Sequence, residues 1–134
     1  MNYVEELLKS DPKKLDERNT GTFKSRRFGD QLGKGEAVEI ELQALTYDEI
    51  INMKEYMTNK DGSINQRKSD ESNVMLCVRG IVNPDLNDER LQKFCGASNA
   101  ADAAKKLFGT EIFAISKEIM TISNFGEEEE TIKN

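Results

Sequence analysis

Histidine and tryptophan are absent from this sequence, and cysteine and proline occur only twice each. Without histidine no imidazole can act as a general base, so serine and cysteine triads of the usual kind cannot be assembled. The usual zinc sites fail too, because two cysteines supply half of a four-ligand structural set. Apolar runs are short. None approaches the roughly 18 residues that a membrane-spanning helix requires, and the amino terminus lacks the basic start and apolar stretch of a secretory leader. These absences predict a chain that stays in the cytosol, with Cys77 and Cys95 reduced and packed as small hydrophobes.

Aromatic side chains are also few, three Tyr and six Phe among 134 residues, so the expected core is lean and rests on aliphatic residues, Met and a few Phe. That length suits one domain. Acidic residues (25) outnumber basic ones (19), and a net charge of -6 repels a polyphosphate backbone, which argues against general nucleic-acid binding. Half of that charge falls on 127–134, where Glu127 to Glu130 face only Lys133. The reading is a single globular domain over 1–126 and a flexible acidic tail over 127–134. With so many carboxylates on polar faces, close pairs arise by chance and do not imply acid–base catalysis. No enzyme activity, metal, cofactor or small-molecule substrate is expected.

The fold class predicted is α+β, mainly α: an N-terminal β-hairpin at about 22–43, then about five short helices over about 46–125. A short helix at 3–9 precedes them, stopped by Asp11-Pro12 because a residue before proline is pushed out of the helical region. Val38, Ile40 and Leu42 alternate with Glu39, Glu41 and Gln43, the period of a strand with one buried face. Residues 22–28 read as its partner. Phe23 and Phe28 would point to opposite faces of a regular strand, which suggests a bulge or an early strand end. Gly29, Gly33 and Gly35 supply the loop between them with residues that tolerate positive φ.

Everything after Leu45 reads as helix. Thr46 and Glu49 form a capping box ahead of Tyr47, Ile50, Ile51 and Met57. After a polar break at 59–69, Val74, Cys77, Val78 and Ile81 form one stripe, ending at Asn83-Pro84. Asn87 is placed to cap a helix that buries Leu91, Phe94 and Cys95 and ends at Gly96. Ser98 or Asn99 starts an alanine-rich helix to Phe108. Thr110 starts the last one, which carries Ile112, Ile115, Ile119 and Ile122 and closes at Phe125-Gly126.

Three features invite a functional reading. Asn59-Lys60-Asp61-Gly62-Ser63 imitates the middle of a calcium loop, but Met57 and Lys68 occupy the end-ligand positions, so an Asp-Gly turn with Ile64 packed inward is expected. Lys24, Arg26 and Arg27 form a basic cluster that could meet an acidic partner or the chain's own Glu-rich tail, though charges on an exposed strand also discourage edge-to-edge aggregation. The isoleucine stripe of the last helix is either core or a face for a partner. Ile112, Ile115, Ile119, Ile122 and Phe125 are the first candidates for partner binding, since a lean domain can leave an apolar stripe uncovered.

Several runs together carry a family resemblance: Val78-Arg79-Gly80-Ile81-Val82-Asn83-Pro84-Asp85-Leu86, Leu91-Gln92-Lys93-Phe94, Ala97-Ser98, Lys106-Leu107-Phe108, Glu111-Ile112 and Ser123-Asn124-Phe125-Gly126-Glu127. Glu5-Glu6-Leu7-Leu8-Lys9 and Leu42-Gln43-Ala44-Leu45-Thr46-Tyr47-Asp48-Glu49 extend it to nearly the whole chain. In these features the chain resembles the XkdN-like phage tail assembly chaperones of long-tailed phages and prophage elements such as PBSX. It departs from them at Phe108-Gly109-Thr110, where a Leu-Pro-Gly step is common, and at Cys95, where glycine is common. The resemblance implies an assembly factor of the host cytoplasm, absent from the mature virion. Its implied partner is the tape measure protein, kept soluble until the tail tube polymerises, with the tail tube protein as a further candidate partner. The alternative is a structural minor tail or baseplate subunit.

Overall fold

The strand with the clearest alternation, β2 (Val38–Gln43), lies at the centre of a three-stranded antiparallel sheet in the computed structural model, which describes residues 2–124. Ile40 and Leu42 are buried while Glu39 and Glu41 face solvent. On one side β1 (Thr20–Ser25) pairs with it, Phe23 opposite Ile40 and Gly21 opposite Leu42. On the other side β3 (Ile81–Asn83) pairs Ile81 with Leu42.

The third strand is absent from the sequence reading, which carried the preceding helix to Asn83. Helix α4 instead runs Gln66–Gly80, and Ile81 is already extended. Two β-branched residues follow the glycine beside an unpaired edge of β2, and the backbone hydrogen bonds offered there outweigh one more helical turn.

The remaining helices are α1 (Tyr3–Leu8), α2 (Arg26–Gln31), α3 (Tyr47–Met57), α5 (Glu89–Cys95), α6 (Ala100–Phe108) and α7 (Glu111–Ile122), with a 3-10 turn at Pro12–Asp16. Helix α2 replaces the second half of the expected strand. Ser25 ends β1 and caps α2 by accepting from the Phe28 N–H at 3.0 Å. Glu111 at the start of α7 completes that cap. Its carboxylate accepts from Ser25 Oγ at 2.6 Å and from the Arg26 and Arg27 N–H groups at 3.0 and 3.4 Å. The hairpin connection is therefore a helical excursion. Gly33 and Gly35 take positive φ within it, whereas Gly29 is needed for space, since a Cβ there would lie 1.9 Å from the Glu36 carbonyl oxygen.

The core forms where the inner face of the sheet meets α4, α6 and α7. Phe108, Ile40, Leu42, Leu86, Ile115, Ile119 and Cys77 are its largest fully buried side chains. At the crossing of α4 and α7, a Cβ on Gly80 would come within 2.5 Å of Ile119, so glycine permits the approach. Cys77 is fully buried, and burial pushes its thiol up to about 12. The end of α7 is tied back to the sheet: the Leu45 N–H donates to Ser123 Oγ at 2.9 Å and Asn19 Nδ2 donates to the Ile122 carbonyl at 3.1 Å.

Candidate partner-binding surface

The isoleucine stripe is the inner face of α7. Ile112, Ile115 and Ile119 are buried against the sheet and α4, and Ile122 is half-buried beside Gly21. As packed here these residues belong to the core, the first of the two readings that the stripe allowed. A lean sheet needs a cover, and this helix is the most apolar one available to it. Phe125 lies outside the described residues, as does 127–134. Other expectations shift. Phe94 is 71% exposed, Ile64 is 63% exposed on its turn, and Asp88 rather than Asn87 caps α5. The basic cluster is divided: Lys24 lies on β1, Arg26 pairs with Asp30, and Arg27 donates to the Lys106 and Leu107 carbonyls at the end of α6. Among the described residues no cluster of three or more His, Cys, Asp or Glu could hold a metal, and no helix is long and apolar enough to cross a membrane.

Among the described residues, an open apolar surface lies between α3 and α4. Helix α3 is well started, since Thr46 and Glu49 satisfy each other's backbone N–H groups as a capping box, yet none of its residues is fully buried. Ile50 and Met53 reach the core only at its margin. The result is an apolar groove of about 270 Å³. Leu45, Met53, Met75 and Leu76 line its length, and Tyr56 lines it too. Met75 is 48% exposed. Methionine has an unbranched, polarizable side chain that adapts to irregular apolar surfaces, which suits a groove that must fit another chain.

Charged groups fix the rim. Glu49 accepts from the Thr46 N–H at 2.9 Å and holds Arg18 at 3.2 Å and Arg79 at 3.5 Å, so it joins the segment before β1 to α3 and α4. The Tyr56 hydroxyl donates to Glu71, and that bond raises the phenol above its ordinary range. The Lys68 ammonium sits 5.3 Å from the Tyr56 ring centroid. A second hollow, of about 490 Å³, shares Met75 and Arg79 with the first and extends past Val78 to Ala100 and Ala101. The outward face of α4 is therefore continuous with both. Sequence reasoning missed the groove because helical spacing marks an apolar stripe on α3 without showing how closely α4 packs against it. The signal available was that three of the five methionines, Met53, Met57 and Met75, fall on these two helices.

One further apolar surface is uncovered. Residues 2–20 are all exposed, and within them Tyr3, Val4, Leu7 and Leu8 of α1 are 60–79% exposed.

Compared with known protein families, residues 4–134 match the one described as phage XkdN-like tail assembly chaperone protein, TAC. Among solved structures, the crystal structure of the protein yqbn is similar in fold, with a TM-score of 0.56 over 80% of this chain and 87% of that chain. Sequence identity between the two is 15%, so the likeness concerns the fold alone. No curated protein matches the sequence.

Proposed function

Because the chain belongs to the phage XkdN-like family of tail assembly chaperones, we propose that it binds the tape measure protein and keeps it soluble until the tail tube polymerises. The observation that carries the reading is the open, methionine-lined groove between α3 and α4, which is the seat we assign to an amphipathic client helix. A client helix laid there would place its apolar side chains on Met53, Met75 and Leu76 and leave its polar side in water. The net charge of -6 favours dispersion of the complex by mutual repulsion. Release follows when tail tube subunits bury the same client surface more extensively, since a shallow groove holds its occupant with moderate affinity. On this reading the chain works in the host cytoplasm and leaves before the virion is complete.

Co-expression with the tape measure protein tests the proposal. The client should move to the soluble fraction with the unaltered chain and stay insoluble with Met75→Glu, which puts a charge at an exposed position in the groove. A client equally soluble with and without the chain removes the chaperone reading. Mass spectrometry of purified particles separates the alternative role, because a structural tail or baseplate subunit must be present in stoichiometric amount.

A further inference from the structure

Helix α1 is six residues long and buries none of them. At 100° per residue Tyr3, Leu7, Val4 and Leu8 span one arc of about 140°, and Glu5 and Glu6 take the other side. Such a helix has too few internal hydrogen bonds to persist by itself in water, and its apolar arc marks a contact surface. The arm that carries it is rooted at the groove rim, where Arg18 pairs with Glu49. Leu15 to Asn19 also share a hollow with Leu45, Thr46 and Tyr47.

We propose that α1 of one copy occupies the α3–α4 groove of a second copy, so that two chains exchange arms when no client is bound. This deepens the reading of the groove as a client seat, because it gives the same surface a resident occupant. Three observations favour the second copy. First, the 3-10 turn at Pro12–Asp16, capped by the Asp11 side chain on the Lys13 N–H at 3.0 Å, stiffens the arm and holds α1 off its own body. Second, the charges fit: α1 brings Glu5 and Glu6, while at the groove rim Arg18 and Arg79 share the single carboxylate of Glu49 and Lys68 lies beside the Tyr56 ring, which leaves positive charge over on that side. Third, with Pro12–Asp16 in the 3-10 turn and the other six residues of 9–19 extended, the arm reaches roughly 30 Å, enough to cross to a neighbour, and a two-fold exchange makes every contact twice.

The test uses the full chain. Light scattering should give a doubled mass at high concentration, returning to the monomer on dilution. Leu7→Asp/Leu8→Asp, at exposed positions, should be monomeric throughout, and so should Met75→Glu. The two variants mixed should associate, more weakly than the unaltered chain, because one retains its groove and the other its arm. A chain that is monomeric at all concentrations overturns the proposal. So does a dimer that survives either variant, or a mixture that stays apart. Client solubility is scored separately. If Met75→Glu abolishes the dimer but still protects the client, arm exchange stands and the groove loses its client role. If Met75→Glu loses the client while the unaltered chain never dimerises, the client seat stands and the arm exchange falls.

Discussion

Helices α1 and α7 carry the same kind of apolar arc and meet opposite fates. Ile112, Ile115 and Ile119 of α7 vanish beneath the sheet and α4, while Tyr3, Val4, Leu7 and Leu8 of α1 touch mostly water. Helical spacing alone does not distinguish them. What separates them is whether the chain returns a surface to cover the arc: α7 follows a short turn after α6 and lies on a sheet that needs a lid, whereas α1 is joined to the body by an exposed stretch. An apolar stripe therefore identifies a contact surface, and topology decides whether the contact is internal or external.

That contrast can be broken by stability measurements. The largest effect belongs to Ile119→Ala, which removes a fully buried side chain and should cost about 2–5 kcal/mol in urea unfolding. A loss below about 0.5 kcal/mol, the range of surface substitutions, would mean that α7 is not a core helix. Gly80→Ala comes next. It forces the Ile119 side chain to move within a packed interior and should cost about 1–3 kcal/mol, read as a lower thermal midpoint. Between the two regions sits α3, where Thr46→Ala removes half of the capping box and should cost about 1 kcal/mol. The smallest effect is expected for Leu7→Asp/Leu8→Asp, within about 0.5 kcal/mol of the unaltered chain in dilute solution. A loss well beyond that would show α1 packed on its own body.

Much of the helical part was legible in the sequence because its punctuation is local. Thr46 with Glu49, Asn99 ahead of the alanines, and Gly96 at φ 65 act through their own backbone neighbours, and each marks the boundary it predicts. The conflict between Phe23 and Phe28 left a bulge or an early strand end open, and β1 takes the second by stopping at Ser25. Helix α2 was hidden because part of its cap is Glu111, 86 residues after Ser25, and no local pattern reports it. Strand β3 was hidden for a similar reason, since Ile81 to Asn83 extend only because β2 offers them an edge. The open groove is a property of two helices and how closely they pack. The residues that line it, Met53 and Met75 among them, look like ordinary core residues when either helix is read by itself.

The contact between Gly80 and Ile119 couples two distant positions through one volume. A side chain at 80 displaces the branched one at 119, and shrinkage at 119 should recover part of what growth at 80 costs. Either change made alone gives a less stable chain, so substitutions at the two sites are expected to be non-additive, with one volume to share.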